Sequence, residues 1–561
     1  MTAYPIKSPF FALVNAQGLP VTNGQIYIGV AGSDPESEPQ AVYWDDAGTI
    51  IADQPLQVRA GYVVNAGSPA SVYTAPTYSI RAYDALGVVI FYQAMVEDQN
   101  AAFIAGLPDA GGAAQIGADD GASGDIFTTI QGFIAKLQSQ SGAGLPGFSH
   151  AMTYSRPSIG AKLRTMVNPY DYPFNCTGDG SADDTARFQQ AMDFVANSPI
   201  SRSLYIPEGK FLLTSKVGAI KPIRIIGEGW TPYTGNNGQP GTAGDGSWLL
   251  FAHNDTGMNF GDGTIISGVE IENIGFQRPN QPVPTTTAWA PIDTGYDIAF
   301  NSVDCTMDKL MFLGTARGVR SYNGNYGRVT ANNIFGHFFI EGMNLDKQYD
   351  LPIINNFRSW VYWADNDLVK AYTRENLAAL ALYRVDNPQV SNFFSIAAKA
   401  SISINQSADS GSYPGGTVSK GKFTNIDCDI GKYGIYIDAG VTNTCDLDFA
   451  NMSIQGFEGE ASSVGIYNAG SNSRIGLANV DLRNFQQNAI RCVTGTGNRV
   501  DASGRIMVDG FNNAGAAFPA FEFAAGNEMH LWSVPSISGG AAGAATYGGG
   551  GTFTIPSTVT P

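Results

Sequence analysis

The chain has 561 residues, 32 Lys and Arg against 49 Asp and Glu, a formal charge of −17 and only 14% charged residues. That balance excludes nucleic acid as a partner, because no basic face is available to neutralise phosphates, and it disfavours docking on anionic lipid. No apolar run reaches the length of a membrane span, and the opening MTAYPIKSPF lacks the build of a signal peptide.

These features predict a soluble protein made in a cytoplasm. The 67 Gly, the many small polar residues and 11% aromatics fit a β-rich, turn-rich chain whose surface hydrogen-bonds and stacks on sugars. The cysteines (Cys176, Cys305, Cys428, Cys445, Cys492) are odd in number and scattered without a CxxC pair. They are expected as small core residues, not as a disulfide frame or metal site. No metal and no cofactor is expected.

Residues 1–100 show short alternating segments. Gln25-Ile26-Tyr27-Ile28-Gly29-Val30 places its branched residues on one face, and turns are expected at Asp45-Asp46-Ala47-Gly48 and Asp84-Ala85-Leu86-Gly87. A small antiparallel β-domain follows from that pattern. Residues 101–145 are predicted as a linker and a short helical neck. Asp125 would cap a stripe of Ile126, Ile130, Phe133, Ile134 and Leu137. A lone helix of that length needs a partner, either the identical helices of sister chains or its own domain.

Residues 146–537 have a different texture. Gly178-Asp179-Gly180-Ser181-Ala182-Asp183-Asp184-Thr185 leads into Phe188, Ala191, Met192 and Val195 at helical spacing, with Asp184 or Thr185 as the cap. From about 265 onward, related blocks recur at Asn273-Ile274, Lys309-Leu310, Asn333-Ile334, Asn356-Phe357, Asn392-Phe393, Asn425-Ile426, Asn451-Met452 and Asn479-Val480. A small residue often stands nine positions after the block's first, as in Lys309 to Gly318, Asn333 to Gly342, Asn392 to Ser401 and Asn425 to Gly434. Repeats with variable loops between them predict stacked coils of a solenoid, with inward columns forming the core. The Gly/Ala-rich tail, 538–561, is expected to cap the open end, wrapping or pairing with sister chains.

Two stretches resemble known families. Asn23-Gly24-Gln25-Ile26-Tyr27-Ile28-Gly29, Asp34-Pro35, Gln54-Pro55-Leu56 and Tyr83-Asp84-Ala85-Leu86-Gly87 resemble the head-binding domain of short-tailed phage tailspikes. The Gly178–Gln189 segment followed by Leu204-Tyr205-Ile206-Pro207-Glu208-Gly209 resembles the opening of pectin-lyase-like β-helices in phage depolymerases and polygalacturonase relatives. The resemblance implies an all-β fold: a right-handed parallel β-helix, homotrimeric, behind a small antiparallel head-binding domain and a helical neck. It implies a virion component attached to the phage tail or portal-adaptor proteins by its N-terminal domain, whose receptor is a bacterial surface polysaccharide such as O-antigen or capsule.

Tailspikes commonly cleave that receptor with paired carboxylates, one protonating the leaving oxygen while the other activates water or attacks the anomeric carbon. Glu341 stands at the head of a second-strand block, where related spikes carry an acid, with Asn344 and Asp346 following. The next coil carries an aromatic insertion, Trp360-Val361-Tyr362-Trp363-Ala364-Asp365-Asn366-Asp367. The expected catalytic pool is therefore Glu341, Asp346, Asp365 and Asp367, with Trp360, Tyr362, Trp363 and Asn344 holding sugar. Asp427 and Asp429 rank below them for want of adjoining aromatics. A non-catalytic adhesin and a polysaccharide lyase are the alternatives to glycoside hydrolysis.

Overall fold

The computed structural model describes residues 4–5, 12–97, 166–199, 201–233, 238–323, 328–411, 413–540 and 545–555. The linker and neck expected over 101–145 lie outside them. The chain divides into two units, Met1–Lys162 and Leu163–Pro561.

In the first unit, an antiparallel sheet orders its strands Ser68–Pro69, Tyr62–Asn65, Leu56–Arg59, Gly24–Gly29, Thr77–Tyr83 and Val89–Glu97. Alternation along Gly24–Gly29 buries Ile26 and Ile28 against Val42, Leu56, Val58, Ile80 and Ala82. Val30, just past the strand, is exposed instead. Both expected turns form, each closed by an aspartate: Asp45 accepts from Thr49 N at 3.0 Å, and Asp84 from Val88 N at 2.9 Å.

Early in the second unit a short strand, Asp179–Asp183, pairs with Gly209–Leu213 and leads into helix α1 (Thr185–Asn197), which buries Phe188, Ala191, Met192 and Val195. Asp184 precedes it but makes no side-chain cap. Its carboxylate turns back to accept from Thr177 N at 2.6 Å and Gly178 N at 2.9 Å, so the acidic run closes its own loop.

Behind α1 the chain winds into a parallel β-helix with three sheets. Sheet 1 runs from Ser203–Ile206 through Arg224–Gly227 and Ile266–Glu272 to Thr552–Thr554. Sheet 2 carries, in register, Phe335, Arg358, Phe394, Asp427, Ser453 and Asp481 on its outer face. Sheet 3 stacks Ile298, Val319, Met343, Leu380, Ile402, Ile435, Ile466, Ile490 and Phe521 inward. The described part of the C-terminal tail continues the same winding: Tyr547 pairs with Phe521 and Phe553 with Met529.

The Asn blocks mark the corner between sheets 1 and 2. Asn273, Lys309, Asn333, Asn356, Asn392, Asn425, Asn451 and Asn479 all sit in left-handed backbone, with φ from 53° to 58°. Asn tolerates that region better than other residues with a side chain. Its amides also bond along the stack: Asn356 Nδ2 donates to Asn333 Oδ1 at 2.7 Å, and Asn425 Nδ2 to Asn392 Oδ1 at 3.1 Å.

The small residue nine positions later is a packing demand. A Cβ on Gly342 would lie 2.4 Å from the Ala379 carbonyl oxygen, and one on Gly434 2.5 Å from Ile454. Inside, phenylalanines stack rung on rung, Phe357 over Phe393 at 5.3 Å and 4° and Phe423 over Phe449 at 4.5 Å. All five cysteines are free and buried in this stack.

A second apolar core lies outside sheet 2. Trp248, Met311 and Leu313 on the sheet pack with Trp289, Phe339, Trp363 and Val369 from the corner segments beside it. Helix α2 (Asp367–Asn376) belongs to this insertion and is capped by Asn366, whose side chain accepts from Leu368 N at 2.8 Å.

Candidate active site on the third sheet

Outward positions of sheet 3 hold Tyr296, Arg317 and Glu341 on three successive rungs, with Arg320 and Asn344 one pleat further along. Together with Asp293, Asp346 and Tyr383 they line an open cavity of about 580 Å³. Glu341 is mostly covered, its side chain 15% exposed. Its Oε2 accepts from the Tyr296 hydroxyl and from Arg317 Nη1 at 3.1 Å, while Asn344 Nδ2 donates to Oε1 at 3.3 Å. Arg317 spends its other edge on Asp293, Nε to Oδ1 at 2.9 Å and Nη2 to Oδ2 at 3.1 Å. Two carboxylates thus face one another across a single guanidinium.

Burial, then the Glu341 charge, push the Tyr296 phenol well above its usual range, so it stays a hydrogen-bond donor. The hydrogen bond to Asp293 likewise keeps Arg317 firmly charged. Two polar atoms in the cavity are buried without a partner, Arg320 Nε and Asn344 Oδ1. One donor and one acceptor are therefore open to a ligand, in a site already rich in fixed charge. Among the described residues no group of three or more His, Cys, Asp or Glu side chains converges as a metal site would.

Of the residues expected from sequence, Glu341, Asn344 and Asp346 come together here. The others do not join them. Trp360 and Tyr362 line a different groove, on sheet 2. Trp363 is 2% exposed in the outer core, against Phe339 at 5.2 Å, so it offers no face to a sugar. Asp365 and Asp367 both pair with Lys370 at 2.9 Å on the insertion's outer surface, where Asp367 also serves the N-terminus of α2.

Sequence reasoning missed Asp293, Tyr296, Arg317 and Arg320. The arginines stand in the same block positions as Glu341 and Asn344 one coil earlier, which is a usable signal. Asp293 comes from an aperiodic loop and gives none. Asp427 and Asp429 were ranked low for lack of aromatic neighbours, and that reason fails. Phe394 is the rung before Asp427, and Trp360 and Tyr362 line the same groove.

Residues 172–350 match the family model described as rhamnogalacturonase A/epimerase, pectate lyase-like, and residues 6–100 match the head-binding model. A 59-residue stretch is 41% identical to the tail spike protein of Salmonella phage epsilon15, covering 10% of this chain and 6% of that relative. The chain therefore spans only a small part of that relative's length. Similar solved structures include DFA-IIIase from Arthrobacter chlorophenolicus A6 (13% identity, 68% of this chain and 95% of that one, TM-score 0.44). Another is the Dettilon tailspike protein (14% identity, 73% and 72%, TM-score 0.32). A head-binding segment ahead of a pectate-lyase-like parallel β-helix is the build of a bacteriophage tailspike, and this chain resembles that family.

Proposed function

We propose that this chain, as a tailspike, binds a bacterial surface polysaccharide, O-antigen or capsule, and cleaves it by glycoside hydrolysis in the sheet 3 cavity. The domain of residues 1–100 holds it to the virion tail, and the working form is a homotrimer. The observation that carries the reading is the pair of carboxylates Glu341 and Asp346 lining one cavity, with Glu341 held by Arg317 and Tyr296.

Glu341, with both oxygens already accepting hydrogen bonds, acts as the anionic partner that stabilises or attacks the anomeric carbon. Asp346, less heavily engaged, delivers the proton to the leaving oxygen. Asp293 positions Arg317. Arg320 Nε and Asn344 Oδ1 take up sugar hydroxyls or a sugar carboxylate.

Purified polysaccharides incubated with the full chain, followed by sizing and reducing-end assay, test this. Glu341→Gln and Asp346→Asn are each expected to lower the rate at least a hundredfold with the melting transition retained. Asp293→Asn should cost less and act on a neighbouring step of binding. Saturable binding with no shortened product would make the protein an adhesin. Products with new ultraviolet absorbance would make it a lyase, a second reading that two arginines beside a carboxylate favour. Against a lyase, the raised Tyr296 phenol is a poor base.

A further inference from the structure

We propose that the groove on the outer face of sheet 2 is a second glycan-binding site, separate from the sheet 3 cavity. This inference rests on the reading that the ligand is a polysaccharide. The groove encloses about 500 Å³ and is built by Arg358, Phe394 and Asp427 on three successive rungs, walled by Trp360 and Tyr362. Rungs lie about 4.8 Å apart, so the three span roughly 10 Å, room for two pyranose rings.

Its chemistry is that of a sugar site. Trp360 is 41% exposed and leans on Phe394 at 5.4 Å and 45°, which props the indole as a platform. The Asn356, Asn392 and Asn425 amides run along one edge, one rung apart. Their ladder bonds leave further donor and acceptor capacity on each amide.

Burial in that wall pushes the Tyr362 phenol up, and the neighbouring Arg358 charge opposes the rise. Asp427 has no hydrogen-bond or ion-pair partner among the described residues and sits beside a second acid, Asp429. An acceptor left free next to a ring platform suits a neutral or amino sugar, whose hydroxyls or ammonium bond to the carboxylate while its apolar face lies on Trp360. A protein neighbour would instead have to cover two adjacent carboxylates, Asp427 and Asp429, at a desolvation cost that a sugar hydroxyl does not impose. A site on a different face from the cleavage cavity would hold a neighbouring stretch of the same long polymer, raising its effective concentration at the cavity.

The test uses the full chain carrying Glu341→Gln, so that ligand survives. A set of bacterial O-antigens and capsular polysaccharides is screened for retention, and the retained polymer is cut to short oligosaccharides for calorimetric titration. Two fragments per chain are expected, falling to one with Trp360→Ala and with Asp427→Ala, and the indole fluorescence of the parent should shift on saturation. Binding to the intact polymer should weaken at least tenfold in both variants. One fragment per chain in the parent, with both variants unchanged, overturns the second site and leaves the sheet 3 proposal standing. Fragment binding lost in Trp360→Ala but untouched by Arg320→Ala supports the sheet 2 site and sinks the sheet 3 one.

Discussion

Removing the Asp297 carboxylate should unfasten the loop that carries Asp293 into the cavity. Arg278 and Asp297 stand at the two ends of that loop, with side chains 2% and 0% exposed. Arg278 Nε donates to Asp297 Oδ1 at 2.6 Å, and the Thr315 hydroxyl donates to Oδ2 at 2.6 Å. The rest of the guanidinium donates to the carbonyls of His253, Asp255 and Gly295 and lies over the Phe251 ring at 5.0 Å.

Asp297→Ala leaves a buried cation without its counter-charge, a loss of about 3–5 kcal/mol. That is roughly two to nearly four orders of magnitude in the unfolding constant, at about 1.4 kcal/mol per tenfold. Swapping the pair for Arg278→Met with Asp297→Leu should recover only part of this. Apolar replacements of buried ion pairs are often neutral, but here three carbonyls would lose their donor, at about 1–3 kcal/mol for each one left dry. Denaturant unfolding of the full chain measures the difference. If the transition is irreversible, the unfolding rate carries the same information. A shift under about 1 kcal/mol for Asp297→Ala would refute the reasoning. It would mean that water or a relaxed loop replaces the carboxylate and that the clamp does not hold Asp293.

Two smaller predictions concern the outer corners. At Asn425, φ is 56°, so Asn425→Ala should cost about 1–2 kcal/mol, while Asn425→Gly keeps the backbone and loses only the ladder bond. An alanine variant as stable as the glycine one would count against a backbone cause. At Asp427, lost hydration in the groove and then the Asp429 charge raise the carboxyl above its ordinary value of 3.8, and burial raises Asp429 as well. The folded chain thus favours the protonated form, a contribution fully present below 3.8 and lost as pH rises through the raised value. Asp427→Asn should therefore melt higher than the parent at pH 7, with the gap closing as pH falls through the raised value and absent below 3.8; a gap that widens on acidification would reverse the sign.

The coils were legible because each block repeats one physical demand. A left-handed corner recurs every turn, Asn meets it, and the residues around it alternate in and out. Glu341 and Asn344 were legible for the same reason, as outward positions in a repeating strand. The aromatic setting of Asp427 was equally within reach. Arg358, Phe394 and Asp427 each stand two residues after their Asn corner, so block alignment alone puts them in one outward column.

Asp293 was not legible, since its loop has no period and its place depends on the Arg278 clamp. Trp363 was misjudged because exposure was inferred from its being in an insertion. A subtler sign existed: Trp248-Leu249-Leu250-Phe251 and Leu310-Met311-Phe312-Leu313 are apolar on both pleats, which marks strands covered on both faces.

That outer cover explains how one fold carries two candidate sites. The inward columns need only apolar residues of the right volume, so the β-helix stands without help from its outer face. Segments at the corner between sheets 2 and 3 are then free to lengthen, and the two long ones have done so together. Asn366 of the second insertion donates to the carbonyl of Pro284 in the first at 3.4 Å, and Trp363 packs on Trp289 at 6.1 Å. The first insertion lends Asp293 to sheet 3, and the second lends Trp360 and Tyr362 to sheet 2. Their shared apolar core fixes both contributions against a rigid scaffold, the arrangement that holds recognition groups within the tolerance binding and chemistry require.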